Sequence, residues 1–179
     1  IGLIIALVAV GVWILQRRAD ILWAREEALP EIERRIESAW WDYTGAYDLA
    51  LEAERYIPSD PHLAELFSLC SFPITIETEP PGARVYMKEY MEPEEDWEYV
   101  GTTPIEEKRL PSGVFRWKME KEGFETVLAV ESTWDVNISQ QSPLVPHDIS
   151  RTLDEKGSIP PGMVRVAGAQ TMAGILGDF

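Results

Sequence analysis

The chain has 179 residues, of which 45% are hydrophobic, and this fraction excludes a chain that is disordered throughout. Its formal net charge of −15 argues against a nucleic-acid partner, because phosphate contacts need clustered lysine and arginine. Cys70 is the single cysteine, and no HExxH, GxSxG, GxGxxG or GxxxxGK(S/T) pattern occurs. We therefore predict that the chain is not an enzyme and has no catalytic, cofactor-binding or metal-binding residues.

The first element is an apolar run, IGLIIALVAVGVWIL, which carries no charge and is followed at once by QRRAD. It is shorter than the ~20 residues that span a bilayer. The chain begins at Ile1 rather than at methionine, so we interpret it as a piece of a longer protein whose apolar run starts upstream. Trp13, Arg17 and Arg18 suit a membrane interface. We predict a transmembrane segment over residues 1–18 and a single-pass membrane protein; the alternative is a buried core helix.

Residues 19–70 are predicted to form a helical hairpin that serves as a spacer. Apolar residues recur at helical spacing on both sides of SAWWDYTG, and Asp60 is placed to cap a further short helix through HLAELF. The stretch WDYTGAYDLALEAERYIPSDP resembles one tetratricopeptide-like helical hairpin. A single copy cannot bury its face in a stack of repeats. The resemblance therefore implies packing against a neighbouring element rather than a peptide-binding array.

From Phe72 onward apolar residues alternate with polar ones, which is typical of strands that have one buried face. The stretch VFRWKMEKEGF places Phe115, Trp117 and Met119 on one face, and ITIET and ARVYMK show the same alternation. We predict a small antiparallel β-sandwich over residues 71–141, followed by a linker or edge strand over residues 142–157. The predicted fold class is α+β.

Four turn motifs occur in order in this region: PPGA, GTTP, LPSG and KEGF. Together they resemble the PEGA domain, which carries corresponding turns in the same order. Proline fixes φ and glycine allows a positive φ, so the motifs suit chain reversal rather than catalysis. The residues that the resemblance assigns to structural turns are Pro80, Pro81, Gly82, Ala83, Gly101, Thr102, Thr103, Pro104, Gly113 and Gly123.

Between two of the predicted strands the chain inserts KEYMEPEEDWEYV, which is rich in acidic and aromatic residues. One interpretation is a solvated hairpin loop. The other is a contact surface, because loops carry binding residues more often than cores do. The partner would then be a protein or a cell-envelope ligand. The candidate contact residues are Tyr90, Glu94, Glu95, Asp96, Trp97 and Tyr99.

The C-terminal stretch IPPGMVRVAGAQTM resembles the opening of a formylglycine-generating-enzyme (sulfatase-modifying factor) type domain, and residues 158–179 are predicted to be its truncated start. The order of apolar helix, helical hairpin, PEGA-like strands and this opening resembles bacterial serine/threonine kinases that carry such domains beyond the membrane. That resemblance implies an extracytoplasmic β domain, against the cytoplasmic placement that Arg17 and Arg18 favour.

The function that these resemblances imply is a membrane-anchored spacer and PEGA interaction or sensor module within a larger bacterial signalling protein. The parent protein would be a kinase or a sulfatase-modifying-type enzyme, while this part of it is non-catalytic. The alternative is an accessory region of a formylglycine-generating-type oxidoreductase, with the catalytic part beyond residue 179.

Overall fold

The fold is described from a computed structural model, which describes residues 2–39, 43–92, 94, 96–136, 144–160 and 163. The chain divides into two compact units. The first contains Ile1–Ile74, Glu107–Phe115 and Glu131–His147, and the second contains Thr75–Glu106, Arg116–Val130 and Asp148–Phe179. Each unit therefore combines segments that lie far apart in the sequence.

The helical part of the first unit contains α1 (Gly2–Trp23), a π-helical segment (Ala24–Ala28), α2 (Leu29–Ser38), α3 (Thr44–Glu54) and α4 (Pro61–Cys70). Pro30 explains the π-helical segment. It has no N–H to donate to the Glu26 carbonyl, and its ring would collide with that carbonyl in a regular α-helix. The predicted cap of α4 is present, since the Asp60 carboxylate accepts a hydrogen bond from the His62 N–H at 3.1 Å.

The prediction of a transmembrane helix is wrong. In the part of the chain that the structure describes, no helix is long and apolar enough to cross a membrane. The apolar run of α1 ends at Leu15. Beyond Leu15, α1 continues through the charged Arg17, Arg18 and Asp20. The same finding overturns the predicted single-pass membrane localisation, together with the extracytoplasmic placement that depended on it.

Helices α2, α3 and α4 enclose one apolar core. Ala46, Ala50 and Ala53 of α3 are at most 2% exposed, and their small side chains let the neighbouring helices approach closely. The rings of Tyr47 and Phe67 meet edge to face, with their centres 5.9 Å apart. Burial of these side chains, rather than the weak helix propensity of so short a segment as α3, accounts for the stability of this part.

The β region contains nine named strands among the described residues. The three-stranded sheet has the order β4-β1-β9, the four-stranded sheet has the order β3-β2-β5-β6, and β7 pairs with β8. The strand bounds are β1 (Ser71–Glu79), β2 (Arg84–Glu89), β3 (Glu98–Thr102), β4 (Ile105–Pro111), β5 (Val114–Glu120), β6 (Val127–Ser132), β7 (Trp134–Val136), β8 (Leu144–Pro146) and β9 (Ile149–Thr152).

The predicted alternation is confirmed, because Phe115, Trp117 and Met119 of β5 are each at most 1% exposed. Within residues 71–141, β2 and β3 are antiparallel as predicted. β1 pairs in parallel with β9, with Ile76 opposite Ile149, and the sequence analysis did not predict the direction of this strand from residues 142–157. Alternation indicates which face of a strand is buried, but it carries no information on strand direction. β9, within residues 142–157, lies at the edge of its sheet.

Candidate functional site

The predicted contact segment lies on the hairpin formed by β2 and β3 in the second unit. The two strands are antiparallel, with a bulge between Val85 and Tyr86, and Tyr86 lies opposite Tyr99. Val85 and Met87 are buried. Because side chains alternate along a strand, Tyr86 and Lys88 lie on the outer side of β2.

Aromatic rings and lysines stack on the outer side of this hairpin and of the neighbouring strand β5. The rings of Tyr86 and Tyr99 are tilted against each other, with their centres 5.5 Å apart. The Lys88 ammonium lies 4.8 Å from the centre of the Trp97 ring, and the Lys118 ammonium lies 4.5 Å from Tyr86 and 5.2 Å from Trp97. We call these five residues the aromatic–cationic face.

The rings of the aromatic–cationic face are held in place without being fully buried. Tyr99 is 53% exposed, while Tyr86 and Trp97 are half-buried. Each cation–π contact of this kind contributes about 0.5–1 kcal/mol at an exposed site. Beside the face, the Arg116 guanidinium lies 5.0 Å from the centre of the Tyr90 ring, and its Nε donates to the Tyr90 carbonyl at 3.3 Å. Ordered, exposed aromatic side chains and arginine are typical of residues that dominate protein interfaces.

The structure separates the predicted contact residues into two groups. Tyr99 lies within β3 rather than in a loop, and Trp97 directly precedes that strand, so both belong to the aromatic–cationic face. Tyr90 directly follows β2 and contacts Arg116. Glu94 and Asp96 are exposed, and no contact described for them joins them to the face. Glu95 lies outside the described residues.

The sequence analysis missed Tyr86, Lys88 and Lys118. Tyr86 and Lys118 were placed on the polar side of ordinary strands, and Lys88 was placed at the start of the inserted segment without a contact role. Only the strand order β3-β2-β5-β6 brings Lys118 beside the hairpin. The sequence signal for this face was the alternation of cationic and aromatic residues along RVYMKEY. That pattern does not reveal which strands are neighbours.

Two of the turn motifs meet through a single hydroxyl group in the second unit. Thr103 Oγ1 accepts from the Gly82 N–H at 3.1 Å and from the Ala83 N–H at 3.0 Å, and it lies 2.6 Å from Thr78 Oγ1. The one proton of the Thr78 hydroxyl goes to the Pro80 carbonyl at 2.9 Å. Thr103 therefore donates to Thr78, and its hydroxyl uses its donor and both acceptor positions. We call Thr78 and Thr103 the threonine pair.

The glycines in these motifs meet steric requirements. Gly82 has φ of +92°, and a Cβ there would lie 3.0 Å from the Lys121 ammonium, which donates to the Pro81 carbonyl at 2.7 Å. A Cβ at Gly101 would lie 2.9 Å from Ile105 Cδ1. The positive φ of Gly82 gives this residue a role in chain direction, because glycine adopts such a φ without strain. At Gly101 the absence of a side chain leaves space for Ile105.

The remaining motif residues also make local backbone or side-chain contacts. Thr102 Oγ1 lies 2.8 Å from the Tyr99 hydroxyl, and the Gly113 N–H donates to Thr133 Oγ1 at 3.1 Å. Gly123 has φ of +84°, and its carbonyl accepts from the Lys156 N–H at 3.0 Å. Pro104 follows Thr103 at the start of the turn that leads into β4.

In the first unit, the helices contact strand β4 through Arg109. The Tyr47 hydroxyl donates to the Arg109 carbonyl at 2.9 Å, and Arg109 Nη2 donates to both carboxylate oxygens of Glu54 at 2.7 and 2.9 Å. The guanidinium carbon lies 3.8 Å from the centre of the Phe67 ring. Burial disfavours the charge of Arg109, but the hydrogen bonds and charge of Glu54 outweigh burial, so the pKa of Arg109 is raised. We call these four residues the β4 junction.

Backbone hydrogen bonds extend the β4 junction to the turn that follows the strand. The Ser112 carbonyl accepts from the Tyr43 N–H, and the Ser112 N–H donates to the Cys70 carbonyl, each at 2.9 Å. Cys70 is fully buried, and burial raises the pKa of its thiol to about 11. A thiol with so high a pKa is a poor nucleophile, so Cys70 contributes to packing rather than to reactivity.

The chemistry available at the candidate site is recognition. The aromatic–cationic face offers ring faces, two ammonium groups that lie against these rings, and the hydroxyl group of Tyr99, which contacts Thr102 Oγ1. Within the residues that the structure describes, no group of three or more histidine, cysteine, aspartate or glutamate side chains could hold a metal ion.

Comparison with protein-family models matches residues 71–133 to the PEGA domain. The matched segment contains β1 to β6 and all four turn motifs, and it is about a third of the chain. No curated protein and no solved structure shows a significant match. The PEGA resemblance that the turn motifs carried is therefore supported, whereas none of these comparisons returns a kinase or a formylglycine-generating-enzyme type domain.

Proposed function

We propose that residues 71–133 act as a non-catalytic interaction module and that α2, α3 and α4 act as the spacer that holds this module within a larger bacterial signalling protein. The partner is a protein or a cell-envelope ligand, and nucleic acid is disfavoured by the net charge of −15. The PEGA match supports a β-rich module. The polar groups of its turn motifs form hydrogen bonds that hold the turns together, which is a structural rather than a catalytic role.

The observation that carries the proposal is the aromatic–cationic face. A core residue would be buried and a solvated loop residue would have few fixed contacts, whereas Tyr99 is 53% exposed and packed against Tyr86. Exposed rings fixed in advance lose little conformational entropy when a partner binds. The face is therefore suited to binding.

The β4 junction supports the role of the helices as a spacer. Its ion pair, ring contact and backbone hydrogen bonds connect α3 and α4 to the strand segment Glu107–Phe115 within one unit. A flexible tether would need none of these contacts. A helical segment bound to a strand in this way can fix the orientation of the strand as well as its distance from the rest of the protein.

The interaction role is tested by site-specific photocrosslinking in the cells that make the protein. A benzophenone amino acid replaces Tyr99 in one variant and Leu69 in the control, because the two side chains are 53% and 54% exposed and Leu69 lies in α4. We expect a discrete adduct at position 99 that is lost when Lys118→Glu is added, and no such adduct at position 69. Equal adduct patterns at the two positions would show that the face is not an interaction surface.

A second function is favoured by one sequence feature, the stretch IPPGMVRVAGAQTM, of which only residues 159, 160 and 163 are described. In that case the module is an accessory region of a formylglycine-generating-type oxidoreductase whose catalytic part lies beyond residue 179. Sequencing the coding frame past Phe179 tests it, and a downstream region without that domain would exclude this function.

A further inference from the structure

Strand β6 lies at the edge of the four-stranded sheet and exposes apolar side chains. Among the strands that the structure describes, its hydrogen-bonded neighbour is β5 alone. Leu128 is 69% exposed and Val130 is 52% exposed, and they lie at alternate positions on the outer side of the strand. Edge strands often carry lysine or proline, which prevent further pairing, and Val127, Leu128, Ala129 and Val130 include neither residue type.

The neighbouring strand β5 presents cations on its exposed side. Arg116 and Lys118 alternate there with the buried Phe115, Trp117 and Met119. Glu120 on the same side lies 3.3 Å from Lys118 and 3.5 Å from Arg84, so its charge is already matched by two cations. In a chain with a net charge of −15, this is a local positive surface beside an apolar edge.

We propose that β6 binds an extended acidic segment of a partner protein, which adds to the sheet as a further strand. The main chain of the segment pairs with β6 at the usual strand spacing of about 4.8 Å. Its apolar side chains contact Leu128 and Val130. Two strand spacings amount to about 10 Å, a distance that an extended glutamate and a facing Arg116 or Lys118 span together.

The strand edge, the apolar side chains and the cations together favour a peptide over a polysaccharide or a second copy of the chain. A polysaccharide offers no strand to pair with the edge of β6, although it could use the cations and rings of the face. A second copy of the chain would bring a net charge of −15 against an equal charge, which is a much larger repulsion than a short acidic segment meets beside the cations of β5. An acidic, partly apolar peptide can pair with the edge of β6, contact its apolar side chains and bind the cations of β5 at the same time. This inference names the partner class of the proposed interaction module and rests on that function.

The test uses the whole chain and a synthetic nonapeptide of alternating glutamate and valine with blocked ends, titrated by isothermal calorimetry. Two control peptides have lysine in place of glutamate, or N-methyl groups on every second residue that prevent strand pairing. We expect the glutamate peptide to bind, with an affinity that falls as salt is raised, and both control peptides to bind at least about tenfold more weakly.

Two pairs of variants locate the binding site. Lys118→Glu is compared with Lys156→Glu, which makes the same charge change at an exposed residue outside β5 and β6. Leu128→Ser is compared with Leu69→Ser, since both leucines are exposed. We expect Lys118→Glu and Leu128→Ser each to weaken binding by about tenfold, and both controls to remain within about twofold of the unmodified chain.

Several results would overturn the proposal. These are no binding of the glutamate peptide at 1 mM, equal binding of either control peptide, equal effects in both members of a variant pair, and tighter Lys118-dependent binding of polygalacturonate than of the peptide. If the peptide experiment fails while photocrosslinking at position 99 still gives its discrete adduct, the interaction module stands and only the acidic-strand partner is excluded.

Discussion

Replacing Thr103 by valine tests whether one hydroxyl group holds two turn motifs together. Valine has nearly the same shape, but it cannot accept from the Gly82 and Ala83 N–H groups or donate to Thr78. The Gly82 N–H keeps its bond to the Thr103 carbonyl at 2.9 Å, whereas the Ala83 N–H, on a residue that is 0% exposed, loses this acceptor. An unsatisfied buried N–H costs about 1–3 kcal/mol, and the lost bond to Thr78 adds about 1 kcal/mol.

The extra buried methyl group offsets about 0.8 kcal/mol of this cost. We therefore expect Thr103→Val to lower the free energy of unfolding by about 1–3 kcal/mol, measured by urea denaturation. Amide exchange should accelerate at Ala83, which reports on the turn itself. Thr103→Ser is the matched control, because it retains the hydroxyl and removes only the methyl group. If valine changed stability by less than about 0.5 kcal/mol, or if serine were as damaging as valine, the role assigned to the hydroxyl would be refuted.

Three further predictions concern the first unit. Arg109→Ala should lower the free energy of unfolding by about 1–2 kcal/mol in urea, since the contact with Glu54 and a cation–π contact are lost. Arg109→Lys should lie between alanine and the unmodified chain, and an unchanged alanine variant would contradict the β4 junction. Hydrogen bonds from Arg34 and then from Arg35 lower the pKa of Glu31 to about 2, so its NMR titration should centre there and rise towards 4.5 in Arg34→Ala. Because this pKa is lowered by folding, its stabilising effect is present above about pH 4.5 and is lost as the pH falls towards 2. Cys70 should react with iodoacetamide at pH 8 at least about tenfold more slowly in the folded chain than in urea, and rapid labelling of the folded chain would contradict its burial.

Local sequence patterns were sufficient to predict which side chains of a strand are buried and where the turn motifs lie. The alternation in VFRWKMEKEGF predicted that Phe115, Trp117 and Met119 are buried, and the four turn motifs predicted the PEGA resemblance that residues 71–133 support. Both inferences depend on properties of single residues and near neighbours. Side-chain polarity selects a face, while proline and glycine restrict or free the backbone.

Local sequence patterns were insufficient to decide whether the N-terminal helix crosses a membrane and in which direction neighbouring strands run. The apolar residues before Arg17 suggested a transmembrane helix, but no helix among the described residues is long and apolar enough to cross a membrane, and α1 continues through charged residues. The parallel pairing of β1 with β9 joins residues more than seventy positions apart. Such pairings depend on the path of the whole chain, which alternation does not encode.

The candidate site shows the same division. The sequence by itself indicated Tyr90, Trp97 and Tyr99 as candidate contact residues and predicted turns at Gly82 and Gly101. Only the tertiary structure decided that Lys118 lies over Trp97 and Tyr86, and that Leu128 and Val130 form an exposed apolar edge. The physical reason is that a binding surface consists of side chains from neighbouring strands, and strand order is set by the packing of the complete sheet rather than by any one segment.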